Sequence, residues 1–232
     1  MNFSYNTGPC SCNGNCSACK SPANKYPSLD DIGVKHGTDK SFIHHNYLVF
    51  YERFLEKFRF ETIKILEIGV FEGRSLRMWE EYFQFGRIVG ADINPDFQKH
   101  KSDRISVELL DQSKDSDLMS IGHAHGNFDL IIDDGSHIWE HQIKTLKYLF
   151  PIVRSGGIYI LEDIDTSYGK YISQYKGSSN ISSAEYIKLL LDCFLGSAAI
   201  DQATIKDDFI KKTVKSIRSI NFYPRTVLIE KA

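Results

Sequence analysis

The sequence predicts a doubly wound α/β fold: a mainly parallel, seven-stranded sheet with an antiparallel hairpin at its C-terminal end. Three observations predict it. Short apolar runs alternate with segments of helical period between residues 63 and 195. Several of those runs stop abruptly at an acid, at the strand ends where such sheets bind ligands. The last two runs alternate in polarity on either side of Tyr223-Pro224-Arg225, the pattern of a hairpin.

Taken in order, residues 1–27 are polar and rich in Gly, Asn, Ser and Pro, and read as an extension to a domain spanning 28–232. A short helix from Leu29 should break at Gly37, and the aromatic spacing of 44–58 predicts a second helix. Residues 63–68 are a strand, 69–73 a turn and 75–83 a helix. Strands follow at 88–91, ending at Asp92, and at 105–110, ending at Asp111. Asp115 is placed to cap a helix over 115–121. The apolar run 128–132 is the central strand; 138–150 is a helix stopped by Pro151, and 157–161 is the next strand. Ser182 with Glu185 three residues on has capping-box spacing for a helix to Leu195. Residues 214–222 and 226–230 form the hairpin, and no internal repeat is visible.

Composition bounds the function. With 232 residues, 42% hydrophobic and 25% charged, the chain suits one globular domain with a real core. A net charge of −2 offers no basic field for nucleic acid. No run is long enough to cross a bilayer, and residues 1–9 lack the basic and apolar regions of a signal peptide, so a cytoplasmic protein is expected. Four of the five cysteines, Cys10, Cys12, Cys16 and Cys19, crowd together as C-x-C-x3-C-x2-C. Thiolates at that density suit a zinc site, although the spacing is not a standard pair and a polar tail with idle thiols is the alternative. Cys193, between apolar neighbours in a helical pattern, is expected in the core.

Two strand ends carry the chemistry. Residues 128–132 run into Asp133-Asp134-Gly135-Ser136-His137, and 157–161 run into Glu162-Asp163. Side by side in a parallel sheet, Asp134, Glu162 and Asp163 make an oxygen-rich cluster suited to a divalent metal, with His137 beside it as a general base. His141, one turn on, is its rival for that role, and each acid read singly is equally a helix cap or a loop carboxylate. The first strand-to-helix turn, Glu67-Ile68-Gly69-Val70-Phe71-Glu72-Gly73, lets a ligand approach the backbone, but lacks the dinucleotide spacing G-x-G-x-x-G.

That E-x-G-x-x-x-G turn resembles motif I of class I S-adenosylmethionine-dependent methyltransferases. The resemblance implies that Gly69 and Gly73 pass under the methionine half of the donor, with Glu67 in the same motif. Asp92 would meet the ribose hydroxyls, and Asp111-Gln112 the adenine edge. The match narrows with K-H-G-T-D-K at 35–40, D-D-G-S-H at 133–137 and L-E-D-I-D-T-S-Y at 161–168. Together these look like the catalytic domain of metal-dependent sugar O-methyltransferases. The resemblance covers residues 35–168 and implies magnesium on Asp134, Glu162 and Asp163, with His137 as base. It further implies a saccharide or small-molecule acceptor and a homo-oligomer. The polar, Tyr-containing residues 169–180 are an expected acceptor lid. Two other classes compete: a non-catalytic nucleoside-fold scaffold, and a Rossmann-fold oxidoreductase, against which the missing glycine spacing speaks.

Overall fold

The structure, a computed structural model, describes residues 26–196 and 204–232. Two short helices lead in, α1 (Leu29–His36) and α2 (Leu48–Leu55). Five strands and three helices follow: β1 (Lys64–Ile68), α3 (Arg74–Tyr82), β2 (Arg87–Asp92), β3 (Ile105–Leu109), α4 (Asp115–His125), β4 (Phe128–Asp133), α5 (Trp139–Leu149) and β5 (Val153–Leu161). The chain then runs through α6 (Ile172–Tyr175), α7 (Ser183–Leu195), α8 (Asp208–Thr213), β6 (Ile217–Tyr223) and β7 (Thr226–Lys231).

The sheet order is β3-β2-β1-β4-β5-β7-β6. The four pairings that join β3, β2, β1, β4 and β5 are parallel, and β7 lies antiparallel between β5 and β6. The chain winds outward from β1 through β3, then restarts at β4 on the other side of β1. The carboxyl ends of β1 and β4 therefore flank the switch point, where an open sheet leaves its crevice. Cores fill both faces. Ile65, Ile132 and Ile160 pack with α1, α2 and α3 residues such as Leu29, Tyr51 and Trp79. Leu66, Ile131 and Tyr159 pack with α5 and α7 residues such as Leu146 and Ile187.

The predicted fold stands, with local differences. α1 carries a Ser28–Asp31 capping box and ends at Gly37 in the left-handed region (φ 69°), as its sequence demands. The Ser182–Glu185 box forms on α7, and Cys193 is buried. The second helix starts at Leu48, leaving His44 and Asn46 in the loop before it. Asp115 is not the cap of α4: it is the first helical residue, and Lys114 in the cap position makes no side-chain bond to the helix amides. The Asp115 carboxylate instead meets the Tyr148 hydroxyl and Lys144. Residues 214–216 are a tight 3-10 turn rather than strand, because α8, too short to show a period, runs directly into them. The four clustered cysteines, Cys10, Cys12, Cys16 and Cys19, lie outside the described residues. Among the described residues no helix is long and apolar enough to cross a membrane.

Candidate active site

The crevice is a cavity of about 690 Å³ over the carboxyl ends of β1, β2 and β4. Its floor is glycine because nothing larger fits. A Cβ on Gly69 (φ 93°) would lie 2.1 Å from the Asp134 carbonyl oxygen. One on Gly135 would lie 2.2 Å from Gln112 Oε1. The backbones of the two strand ends thus touch, joined by a hydrogen bond from the Asp134 amide to the Ile68 carbonyl (3.0 Å).

Of the expected donor-side residues, Gly69, Asp92, Asp111 and Gln112 line the cavity. Asp92 accepts from the Val70 amide (2.8 Å) and the Asn94 amide (2.9 Å), which fixes its carboxylate at the rim. Asp111 accepts from the Ser113 amide and hydroxyl, and those bonds hold its carboxyl below the ordinary range. Gln112 is a wall rather than a free donor. Its amide nitrogen donates to Asp133 (2.8 Å) and Thr145 (3.0 Å), and its oxygen accepts the Ser136 amide (2.8 Å). Gln112 therefore braces the D-D-G-S-H turn.

Glu67 and Gly73 do not line the cavity. The two-residue period of β1 turns Glu67 toward α3, where it accepts from Ser75 (2.9 Å) and Trp79 (3.1 Å). Burial pushes its carboxyl up to about 7 against the pull of Lys40. Gly73 (φ 70°) caps the start of α3 with His100 packed against it.

At the other end of the cavity, Asp134, His137 and Asp163 each offer a ligand atom, and these lie within 4.8 Å of one another. Glu162, expected as the third acid, approaches from beneath the cavity and is 1% exposed. Its carboxylate accepts from Lys40 Nζ (2.8 Å) and from the Tyr51 hydroxyl (3.0 Å). Lys40 Nζ also donates to Asp134 and lies 3.6 Å from Glu67. Burial alone would lower the Lys40 pKa, but Asp134, Glu162 and Glu67 outweigh it and hold the ammonium charged. Sequence reasoning assigned Lys40 no part in the site.

Asp163 is clamped on one side. Its Oδ1 accepts from the Tyr47 hydroxyl (2.6 Å) and from Arg225 (2.9 Å), while Oδ2 lies 3.6 Å from His137 Nε2. Burial would raise its pKa, but the Tyr47 bond and the charges of His137 and Arg225 hold it below the ordinary carboxylate range. Tyr47 and Arg225 were also missed, coming from the cap position before α2 and from the β6–β7 turn.

The two histidines differ in setting. His137 faces Asp163, and its Nδ1 is buried without a hydrogen-bond partner. Nδ1 of His141 pairs with Ser136 Oγ (2.8 Å), and burial lowers its pKa. The expected lid is partly helical: α6 carries Tyr175, whose ring centroid lies 6.1 Å from that of His137.

This sheet order, with a glycine turn at the switch point and acids at successive strand ends, is that of the class I S-adenosylmethionine-dependent methyltransferases. The particular kinship lies with the sugar O-methyltransferases of natural-product biosynthesis. The chain is 32% identical over 212 residues to 8-demethyl-8-alpha-L-rhamnosyl tetracenomycin-C 2'-O-methyltransferase of Streptomyces olivaceus, covering 88% of this chain and 55% of that protein. It is 35% identical over 175 residues to demethylmacrocin O-methyltransferase of Streptomyces fradiae, covering 72% of this chain and 44% of that one. Among solved structures, the MycE methyltransferase of mycinamycin biosynthesis, in complex with Mg and SAH, superposes with a TM-score of 0.78 at 29% identity. That match covers 90% of this chain and 55% of MycE. The chain spans about half the length of the curated relatives it matches. No protein-family model matches it.

Proposed function

We propose that this chain transfers a methyl group from S-adenosylmethionine to a hydroxyl of a saccharide or glycosylated natural product, with magnesium at the acid cluster. The observation that carries the reading is that Asp134, His137 and Asp163 converge in the wall of the same cavity that the Gly69 turn lines. The relatives' names support a sugar hydroxyl as acceptor, and MycE has been solved with Mg, SAH and mycinamycin VI.

The residues fit both groups. A glycine floor that a Cβ would fill, with Asp92 and Asp111 carboxylates at the rim, suits a hydroxyl-rich nucleoside. Carboxylate oxygens are the ligands magnesium prefers, and Asp134 and Asp163 offer them to the cavity, with Glu162 adjoining from below. Bound there, magnesium supplies a Lewis acid that makes an acceptor hydroxyl more acidic and fixes its position.

The chain's own residues do the rest. In the transfer, the bond from the acceptor oxygen to the methyl carbon forms as the donor's carbon–sulfur bond breaks, and the hydroxyl proton must leave. We assign that proton to His137, whose proximity to Asp163 suits a base that becomes cationic. The strand-end glycines and acids hold donor and acceptor in line, which is where most of the acceleration arises. We take residues 28–232 as the methyltransferase domain, assembled as a homo-oligomer, with 1–27 as an extension whose cysteines either hold zinc or stand idle. Metal analysis of the purified chain tests the last point.

Thermal shift tests the function. S-adenosylhomocysteine with magnesium should stabilise the chain beyond either alone. Stabilisation by a nicotinamide dinucleotide instead would make it an oxidoreductase.

A further inference from the structure

Lys40 is enclosed by three carboxylates that come from three different strand ends. It stands in the loop between α1 and α2, yet it is 1% exposed. Its ammonium donates to Asp134 past the end of β4 and to Glu162 Oε2 (2.8 Å) past the end of β5, and lies 3.6 Å from Glu67 Oε1 on β1. A lysine is fully buried only where other groups take its charge and its three protons. The backbone around it is equally fixed. Its carbonyl accepts the Tyr47 amide (2.9 Å) and the Leu48 amide (3.3 Å), so the start of α2 is built on Lys40. Tyr51, one turn into α2, then holds the other oxygen of Glu162 (3.0 Å).

We infer that Lys40 is a positioning residue of the metal site, whose ammonium ties Asp134 to Glu162 so that a divalent cation meets both carboxylates already in place. The inference rests on the magnesium reading proposed above. A residue that hydrogen-bonds a ligating carboxylate typically changes metal affinity 10- to 100-fold when removed. Two opposing effects meet in Lys40. As a cation beside a cation it repels the metal, and its removal would tighten binding. As the one group among the described residues bonded to both carboxylates, it prevents their mutual repulsion from driving Asp134, the more exposed of the two, out into the cavity. The geometry favours the second, because the ammonium touches both acids directly and Lys40 and Glu162 are each only 1% exposed.

The sign of the change in affinity decides between these effects. Mn²⁺ is titrated by calorimetry into the full chain saturated with S-adenosylhomocysteine, for the wild type and Lys40→Met. S-adenosylhomocysteine affinity is measured separately for both. The expected result is Mn²⁺ binding weakened at least about tenfold, with donor-analogue affinity held within about threefold. Mn²⁺ binding that is unchanged or tighter overturns the assignment. So does an equal fall in both affinities, which reports a general loss of structure. A wild type that binds no Mn²⁺ removes the magnesium reading itself, and is told apart because it needs no variant. If Lys40→Met shows no cooperative thermal transition, Lys40→Gln, which keeps hydrogen-bond donors without the charge, is held to the same criterion.

Discussion

His137 Nε2 lies 3.6 Å from Asp163 Oδ2, and both residues hold left-handed backbone, at φ 57° and 53°. Non-glycine residues resist that conformation, at a cost of roughly 1–3 kcal/mol each. Arg225, which clamps Asp163 from the β6–β7 turn, is the same (φ 71°). Three strained residues on three separate segments therefore meet at one point. Such strain persists where the surrounding structure enforces it for a purpose. Here it turns a histidine and a carboxylate toward one another at the cavity wall.

From this pairing, His137→Gln should lower kcat at least about 100-fold in methyl transfer to a glycosylated acceptor, the usual loss on removing a general base. His141→Gln, at a ring already bonded to Ser136, should cost less than about tenfold. Steady-state kinetics of the two variants checks this, and the reverse order would reassign the base.

Tyr47 donates to Asp163 Oδ1, the oxygen turned away from His137. Tyr47→Phe removes that bond without adding or removing charge. It should weaken Mn²⁺ binding about tenfold and lower stability by about 1 kcal/mol. Calorimetric titration and chemical denaturation read the two effects separately.

Gly69→Ala places a methyl group 2.1 Å from a backbone oxygen at a φ of 93°. Neither the neighbouring strand end nor the turn can give way easily. The variant should lose at least about 2 kcal/mol of stability and its affinity for S-adenosylhomocysteine together. Normal donor-analogue binding by a stable Gly69→Ala protein would mean that the two strand ends do not touch.

A pH dependence is expected far from the site, at the base of α8. Burial would raise the Asp207 pKa, but bonds from Lys147 (2.8 Å) and the Ile210 amide (3.0 Å) outweigh it and hold the carboxyl below its ordinary 3.8. A depressed carboxylate stabilises the native state above the unfolded-state value and loses that contribution as pH falls through the folded one. Asp207→Asn keeps the helix cap but not the charge. It should cost about 1 kcal/mol at pH 7, and the difference should close below about pH 4, followed by denaturation at each pH.

The legible parts of the molecule were those whose signal is local. Apolar runs ending in acids gave β2, β3, β4 and β5 their places, and Ser182 with Glu185 marked a helix start. D-D-G-S-H and E-D were legible as neighbours because the two strands are sequential in chain and in sheet. What stayed hidden depends on tertiary packing. Lys40 in a polar loop reads as a solvated charge, and only the fold brings it to acids 94 and 122 positions away. Glu67 belongs to a donor-binding turn in sequence, yet strand alternation sends its side chain to the opposite face. Gln112 reads as a ligand-facing amide, while packing spends its donors on Asp133 and Thr145.

As proposed, Asp134, Glu162 and Asp163 hold a divalent cation beside the methyl donor. Crystals grown with S-adenosylhomocysteine and Mn²⁺, measured at the manganese absorption edge, test it most directly. The account predicts one anomalous peak bounded by those three carboxylates, with the donor analogue over Gly69 in the same cavity. A bound analogue with no such peak, or with manganese ligated elsewhere, would contradict it.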